Sequence, residues 1–256
     1  MRVTILGVGN MGTWFVNRLK SQHEIGVYDL NIEKANRISG VRIFGELPEI
    51  EDFQPELLIN AVSIQNTILA FESAATYLSK ECIIADVMSV KGKIYEFYSG
   101  CSFRFVSVHP MFGPTFADID QLGEENVIII RESCFEGALF FRDFFMGLGL
   151  QIFEYSFDEH DLLIAYSLTL PFASSLVFAA NMDSSTVPGT TFKKHHEIAK
   201  GLLSEEDALL SEILFNPHSL SQLEKVTNKL EFLKHVIRQR DFDEAQKFFD
   251  RLRKNI

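Results

Sequence analysis

The chain has 256 residues and is 46% hydrophobic, enough apolar material for one large core or for two domains of unequal size. Its 24 Lys and Arg against 35 Asp and Glu give a formal charge of −11, which argues against a surface that tracks a polyanion and therefore against a nucleic-acid partner. Cys82, Cys101 and Cys134 lie far apart with no CxxC spacing, so neither a metal site nor a disulfide framework is expected.

The N-terminus runs directly into a strand-like segment, without a cationic leader or a stretch long enough to span a bilayer. A cytoplasmic protein with no membrane partner is expected. Short apolar runs bounded by turn residues follow at 3–6, 25–28, 57–62, 82–87, 105–108 and 127–130, with a last one at 151–155. Continuous apolarity over so few residues suits strands covered on both faces. Helix-length segments at 11–21, 32–38, 67–78 and 135–148 alternate with them, which predicts a Rossmann-type α/β domain with a doubly wound parallel sheet.

From residue 158 onward strand-like runs disappear and helical patterns take over, so an all-α domain is expected to follow. The boundary is drawn as 1–156 and 157–256, with the site in the cleft between them. Asn216 before Pro217 marks a helix start. Leu220, Leu223, Val226, Leu230, Leu233 and Ile237 then recur at three- and four-residue intervals, a stripe that serves either core packing or a subunit seam.

The first apolar run ends in Gly7-Val8-Gly9-Asn10-Met11-Gly12 and opens a helix. That context distinguishes a dinucleotide-binding loop from a chance GxGxxG. Gly7 permits the tight turn, Gly9 lets the backbone approach a pyrophosphate, and Gly12 lets the helix pack close to the strand. The helix N-terminus, with Asn10 and Met11, offers N–H groups to that anion. Asp29 ends the second run, where its carboxylate either accepts hydrogen bonds from ribose hydroxyls or merely caps the helix near Ile32. The first reading favours NAD over NADP.

Chemistry in such a sheet lies beyond the carboxyl ends of the strands. Two segments stand there: Met88-Ser89-Val90-Lys91-Gly92, and His109-Pro110-Met111-Phe112-Gly113-Pro114-Thr115. Together with Asp86 and the later Glu159-His160-Asp161, they resemble the prephenate dehydrogenase family, whose Rossmann domain carries D-x-x-SVK and HPM-[FA]-G and is followed by a helical dimerisation domain. The resemblance implies NAD-dependent oxidative decarboxylation of prephenate to 4-hydroxyphenylpyruvate in tyrosine biosynthesis, by a homodimer joined through its helical domain. Arogenate is the alternative substrate, and a non-catalytic NAD-sensing module is the alternative class.

By the same resemblance His109 is the catalytic base at the substrate 4-hydroxyl, and Ser89 its orienting partner. Acidification should then silence the enzyme through a group titrating at about 6.5. Lys91 either contacts substrate, sets up its loop or caps a helix, and His160 is placed near the substrate at the domain junction. Two features depart from the family pattern. Thr169 and Phe172 stand where relatives carry histidines facing the substrate, and Lys193 stands where an arginine would hold a substrate carboxylate, offering a point charge in place of a bidentate fork.

Overall fold

The computed structural model describes residues 1–113, 122–183, 185, 187–205 and 207–255. The strands are β1 (Arg2–Leu6), β2 (Glu24–Tyr28), β3 (Arg42–Ile43), β4 (Leu57–Asn60), β5 (Ile83–Asp86), β6 (Arg104–Pro110), β7 (Asn126–Ile130) and β8 (Gln151–Tyr155). They form one sheet in the order β3-β2-β1-β4-β5-β6-β7-β8. β3 through β6 are parallel, and the chain reverses its direction across the sheet between β1 and β4, the switch point of a doubly wound fold. The expected doubly wound, mostly parallel sheet is present, with one reversal: β7 runs antiparallel to β6, and β8 is parallel to β7. An apolar run specifies a buried strand but carries no direction. β3, with two residues, is too short to give such a run.

The helices of this half are α1 (Asn10–Leu19), α2 (Ile32–Ala35), α3 (Glu49–Phe53), α4 (Thr67–Ala75), α5 (Ile94–Gly100) and α6 (Phe135–Gly147). α1 buries Gly12, Phe15, Val16 and Leu19, the spacing that places side chains on one helix face. Its Trp14 and Phe15 meet Phe144 of α6 with ring centroids 5.7 and 5.8 Å apart, and Phe141 and Phe145 complete this side of the core with no exposed surface. On the other side Phe71 of α4 packs beside Tyr98 of α5, whose ring stacks on Phe105 of β6 at 4.1 Å.

β8 leads into α7 (Phe157–Ile164), which starts with a capping box between Ser156 and Glu159. A π-helical turn, Ala165–Thr169, links it to α8 (Leu170–Ala180). Residues 157–180 are, among the described residues, the one helical run long and apolar enough by length and composition to cross a membrane. Its first turns instead hold the buried polar pair described below. α9 (Thr190–Leu202), α10 (Asp207–Leu214), α11 (Ser219–Gln239) and α12 (Phe242–Leu252) follow.

The expected helix start at Asn216 falls short. α11 begins at Ser219, one turn later, yet Asn216 still organises the turn that leads into it: its Oδ1 accepts the His218 N–H, while its amide donates to the Asp161 carbonyl. Leu220, Leu223, Leu230 and Ile237 of the apolar stripe are exposed, so packing within one chain does not account for that face.

Candidate active site

The glycine loop is built as its residues demand. Gly7 has φ +82°, and a Cβ there would lie 2.9 Å from Val62 Cγ1; a Cβ on Gly12 would lie 1.9 Å from the Gly7 carbonyl oxygen. Only hydrogen fits at either position. Gly9 differs, since nothing stands within 4 Å of its Cβ position and both it and Asn10 are exposed. Met11 is half-buried. Gly9 is the N-cap of α1 and supplies no side-chain cap, so the first turn offers backbone N–H groups without a side-chain partner, a cradle suited to a phosphate.

Asp29 sits one residue beyond β2. Its Oδ2 accepts the Val8 N–H at 2.8 Å and its Oδ1 the Asn31 N–H at 2.8 Å. The helix-capping alternative fails, because the N-cap of α2 is Asn31, whose side chain accepts the Glu33 N–H. Asp29 thus fastens the glycine loop while each carboxylate oxygen keeps a lone pair for a further donor.

The second cluster lies at the carboxyl ends of β5 and β6 and in the loop after β5. Asp86 is wholly buried at the end of β5. It accepts from Lys91 Nζ at 2.8 Å, Tyr98 OH at 2.8 Å and Met88 N at 3.1 Å. Lys91 Nζ also donates to the Val108 carbonyl at 2.8 Å. Burial pulls the Lys91 ammonium below its usual range, with Asp86 opposing that shift. The expectation that Lys91 contacts substrate is therefore corrected: its head group is sealed inside the domain with no exposed surface. It is a loop anchor, one of the roles its position allowed.

His109 lies on β6, two residues past the register partner of Asp86, and is 5% exposed. Its Nδ1 is 3.0 Å from His160 Nε2. His160 Nδ1 is 2.9 Å from Asp161 Oδ1. Asp161 in turn accepts the backbone N–H of Lys91 at 2.9 Å and of Gly92 at 2.8 Å. Burial holds His109 well below the ordinary histidine range, and the neighbouring His160 and Lys91 push it the same way. His160 is also lowered, chiefly by burial, although its hydrogen bond to Asp161 opposes the shift. For Asp161 burial is the largest influence and acts upward, yet hydrogen bonds from His160, Lys91 and Gly92 together outweigh it and lower the carboxyl. The ring of His109 is thus neutral and able to accept a proton near neutral pH.

Two further expectations change. Ser89 is half-buried in its loop, but the side-chain partner of His109 is His160, and no described residue bonds the Ser89 hydroxyl. His160 itself has no exposed surface and faces His109 rather than an open cleft. Lys193 is exposed on α9, and no described bond brings it to the His109 cluster. Of the residues standing in place of histidines, Thr169 is turned away and bonds Ser219 at 2.6 Å, while Phe172 packs with Val90, Met111, Ile164 and Ile213 into an apolar wall. Pro114 and Thr115 of the His109 segment lie outside the described residues.

Asp161 entered the sequence reading only as part of Glu159-His160-Asp161, with no role of its own, and Asn216 only as a helix start; Tyr98 gave no signal.

Residues 16–129 match the family model for the nucleotide-binding domain of prephenate dehydrogenase. The chain is 24% identical over 251 residues to arogenate dehydrogenase 1, chloroplastic, of Arabidopsis thaliana, covering 91% of this chain and 39% of that protein; it thus spans well under half of that relative's length. A crystal structure of prephenate dehydrogenase from Aquifex aeolicus, in complex with hydroxyphenyl propionate and NAD+, superposes with a TM-score of 0.84 at 20% identity, covering 100% of this chain and 96% of that one. The structure of Synechocystis arogenate dehydrogenase gives a TM-score of 0.78 at 17% identity, covering 100% and 98%. At those identities the two structures establish a shared fold, and the segment that carries Asp86, Lys91 and His109 is similar to the nucleotide-binding domain of prephenate dehydrogenase.

Proposed function

We propose that the protein is an NAD-dependent dehydrogenase that oxidises and decarboxylates prephenate to 4-hydroxyphenylpyruvate. The observation that carries this reading is a buried, neutral His109 near the carboxyl end of β6, in the sheet whose β1 opens the glycine loop. The open Gly9 cradle, the uncapped start of α1 and Asp29 fit a dinucleotide: the loop 7–12 would bind the pyrophosphate and Asp29 the ribose hydroxyls. NAD bound there supplies the acceptor for the hydride that leaves the hydroxyl-bearing ring carbon.

His109 takes the proton of that hydroxyl as its oxygen becomes a carbonyl. Loss of the ring carboxylate as CO2 then leaves its electron pair to aromatise the ring, and the phenol oxygen regains a proton. Burial matters because a cationic imidazole has no lone pair to offer. Ser89, whose hydroxyl no described residue engages, is assigned to the substrate hydroxyl. Lys193 is assigned to a substrate carboxylate, with no contact to His109 implied. The chain divides at 156/157 into a cofactor domain and a helical domain, and the exposed stripe from Leu220 to Ile237 is assigned to a homodimer seam.

Arogenate is the second reading, favoured by the name of the Arabidopsis relative. It keeps the reacting ring and differs at the side-chain amino group. Mixing the protein with NAD and each substrate separately, and following NADH fluorescence together with CO2 release, tests both. Equal NADH and CO2 from prephenate supports the proposal, the same from arogenate alone selects the second reading, and silence with both leaves an NAD-sensing module.

A further inference from the structure

The hydrogen-bond partners of His109 decide which of its two nitrogens carries the proton. Asp161 is the fixed point from which this follows. Its Oδ1 and Oδ2 receive the backbone N–H groups of Lys91 and Gly92 at 2.9 and 2.8 Å, an environment for an ionised carboxylate, which accepts and never donates. The 2.9 Å contact between Asp161 Oδ1 and His160 Nδ1 is therefore donated by the histidine. A neutral imidazole with its hydrogen on Nδ1 has a lone pair on Nε2. That lone pair faces His109 Nδ1 at 3.0 Å, so His109 must donate from Nδ1, and its own lone pair lies on Nε2. No described residue bonds His109 Nε2.

We infer that His160 and Asp161 are positioning residues that hold His109 as the Nδ1–H tautomer, presenting Nε2 as the base. The inference rests on the reading of His109 as the base and explains how that base is kept in its working form. It also gives the chain a partner for His109 where Ser89 was expected.

The same contacts make the tautomer conditional on the docking of the helical segment against the sheet. Asp161 is on α7, its two backbone donors are in the loop after β5, and the Asn216 amide clasps its carbonyl from the corner before α11. When His109 takes a proton on Nε2, its Nδ1–H already points at the His160 lone pair, so the new charge meets a placed acceptor. A proton on His160 has the opposite effect. Both nitrogens of His160 then donate, His109 Nδ1 must accept, and the hydrogen of His109 moves to Nε2, where it blocks the base. The charged and titratable groups facing these rings are His160 and Lys91 for His109, and Asp161, Lys91 and Asp86 for His160.

The test is nitrogen NMR of the histidine-labelled protein near neutral pH, with His109 assigned by its loss in His109→Asn. A protonated Nδ1 and bare Nε2 are expected; a protonated Nε2 in the neutral ring overturns the inference whatever the enzyme does. Two variants add a kinetic arm. In His160→Gln the amide N–H can donate to Asp161 while its carbonyl accepts from His109, so the Nδ1–H signature and most of the turnover should persist. His160→Leu has neither group, and kcat should fall roughly 100-fold with KM and NAD affinity little changed. Equal turnover in the two variants, or a fall in NAD affinity that matches the fall in kcat, contradicts the positioning role. If His160→Leu does not fold, the parent spectrum and the Gln variant still decide. An Nδ1–H ring in a protein that turns over neither prephenate nor arogenate removes the dehydrogenase reading and leaves the tautomer assignment standing.

Discussion

Replacing Lys91 with methionine preserves most of the side chain's volume and removes its charge. In the parent, the ammonium bonds Asp86 and the Val108 carbonyl, both at 2.8 Å, and neither Lys91 nor Asp86 has exposed surface. The variant leaves the Asp86 carboxylate in the interior with two neutral donors, Tyr98 OH and Met88 N–H. Breaking a buried pair by removing one partner costs about 3–5 kcal/mol, and the two surviving hydrogen bonds place this case toward the lower figure. Urea unfolding of the cofactor-free protein, followed through the single tryptophan, Trp14, buried against Phe112 at 5.2 Å, reads the loss. The double variant Lys91→Met with Asp86→Asn should be more stable than Lys91→Met alone, because no unpaired charge remains. A single variant within about 1 kcal/mol of the parent, or a double variant less stable than the single, would refute the buried-pair account.

Asp29→Ala should weaken NAD binding far more than substrate binding, since the carboxylate fastens Val8 of the glycine loop and is offered to the ribose; equal NAD affinity by fluorescence titration rejects that role. Lys193→Gln should raise KM for prephenate and leave NAD affinity alone, and an unchanged KM places this exposed lysine on a solvated face. His109 and His160 are held below the ordinary range by burial, so below about pH 6.5 the unfolded chain binds protons that the folded chain refuses. Stability should fall with acidification by up to about 1.4 kcal/mol per pH unit for each histidine, until the folded values are reached. Urea unfolding at about pH 7 and about pH 5.5 should show a smaller loss in His160→Gln than in the parent; parallel losses contradict this.

The strands of this half were legible because buried parallel strands are short apolar runs, and β1, β2 and β4 through β8 stand close to where such runs lie. Strand direction was not legible, and β7 shows why: its apolar residues suit either orientation. The glycine loop was readable because its backbone permits only hydrogen at Gly7 and Gly12. The polar cluster was readable in part. Its members were named from motifs, but their pairing depends on contacts between residues 51 and 70 positions apart, and no local pattern specifies those. Hence His109 was matched to Ser89 while the fold gives it His160, and Lys91, whose charge suggested the cleft, turns inward to Asp86. The short-range rule found the acceptor role of Asn216, whose Oδ1 takes the His218 N–H, but not the bond from its amide to Asp161 on another helix.

The central claim is that His109 accepts the substrate proton. Its burial moves the acid limb of the reaction well below the value of about 6.5 expected for an ordinary histidine. The direct measurement is kcat against pH for the parent and His109→Asn at saturating NAD and substrate, with deuterium at the transferred position confirming that chemistry limits the rate. The account predicts a parent profile still flat at about pH 6.5 and declining only at lower pH, and a variant that binds NAD normally, is slower by roughly 10²- to 10⁴-fold and lacks that decline. A variant that turns over like the parent with the same acid limb would show that His109 is not the base.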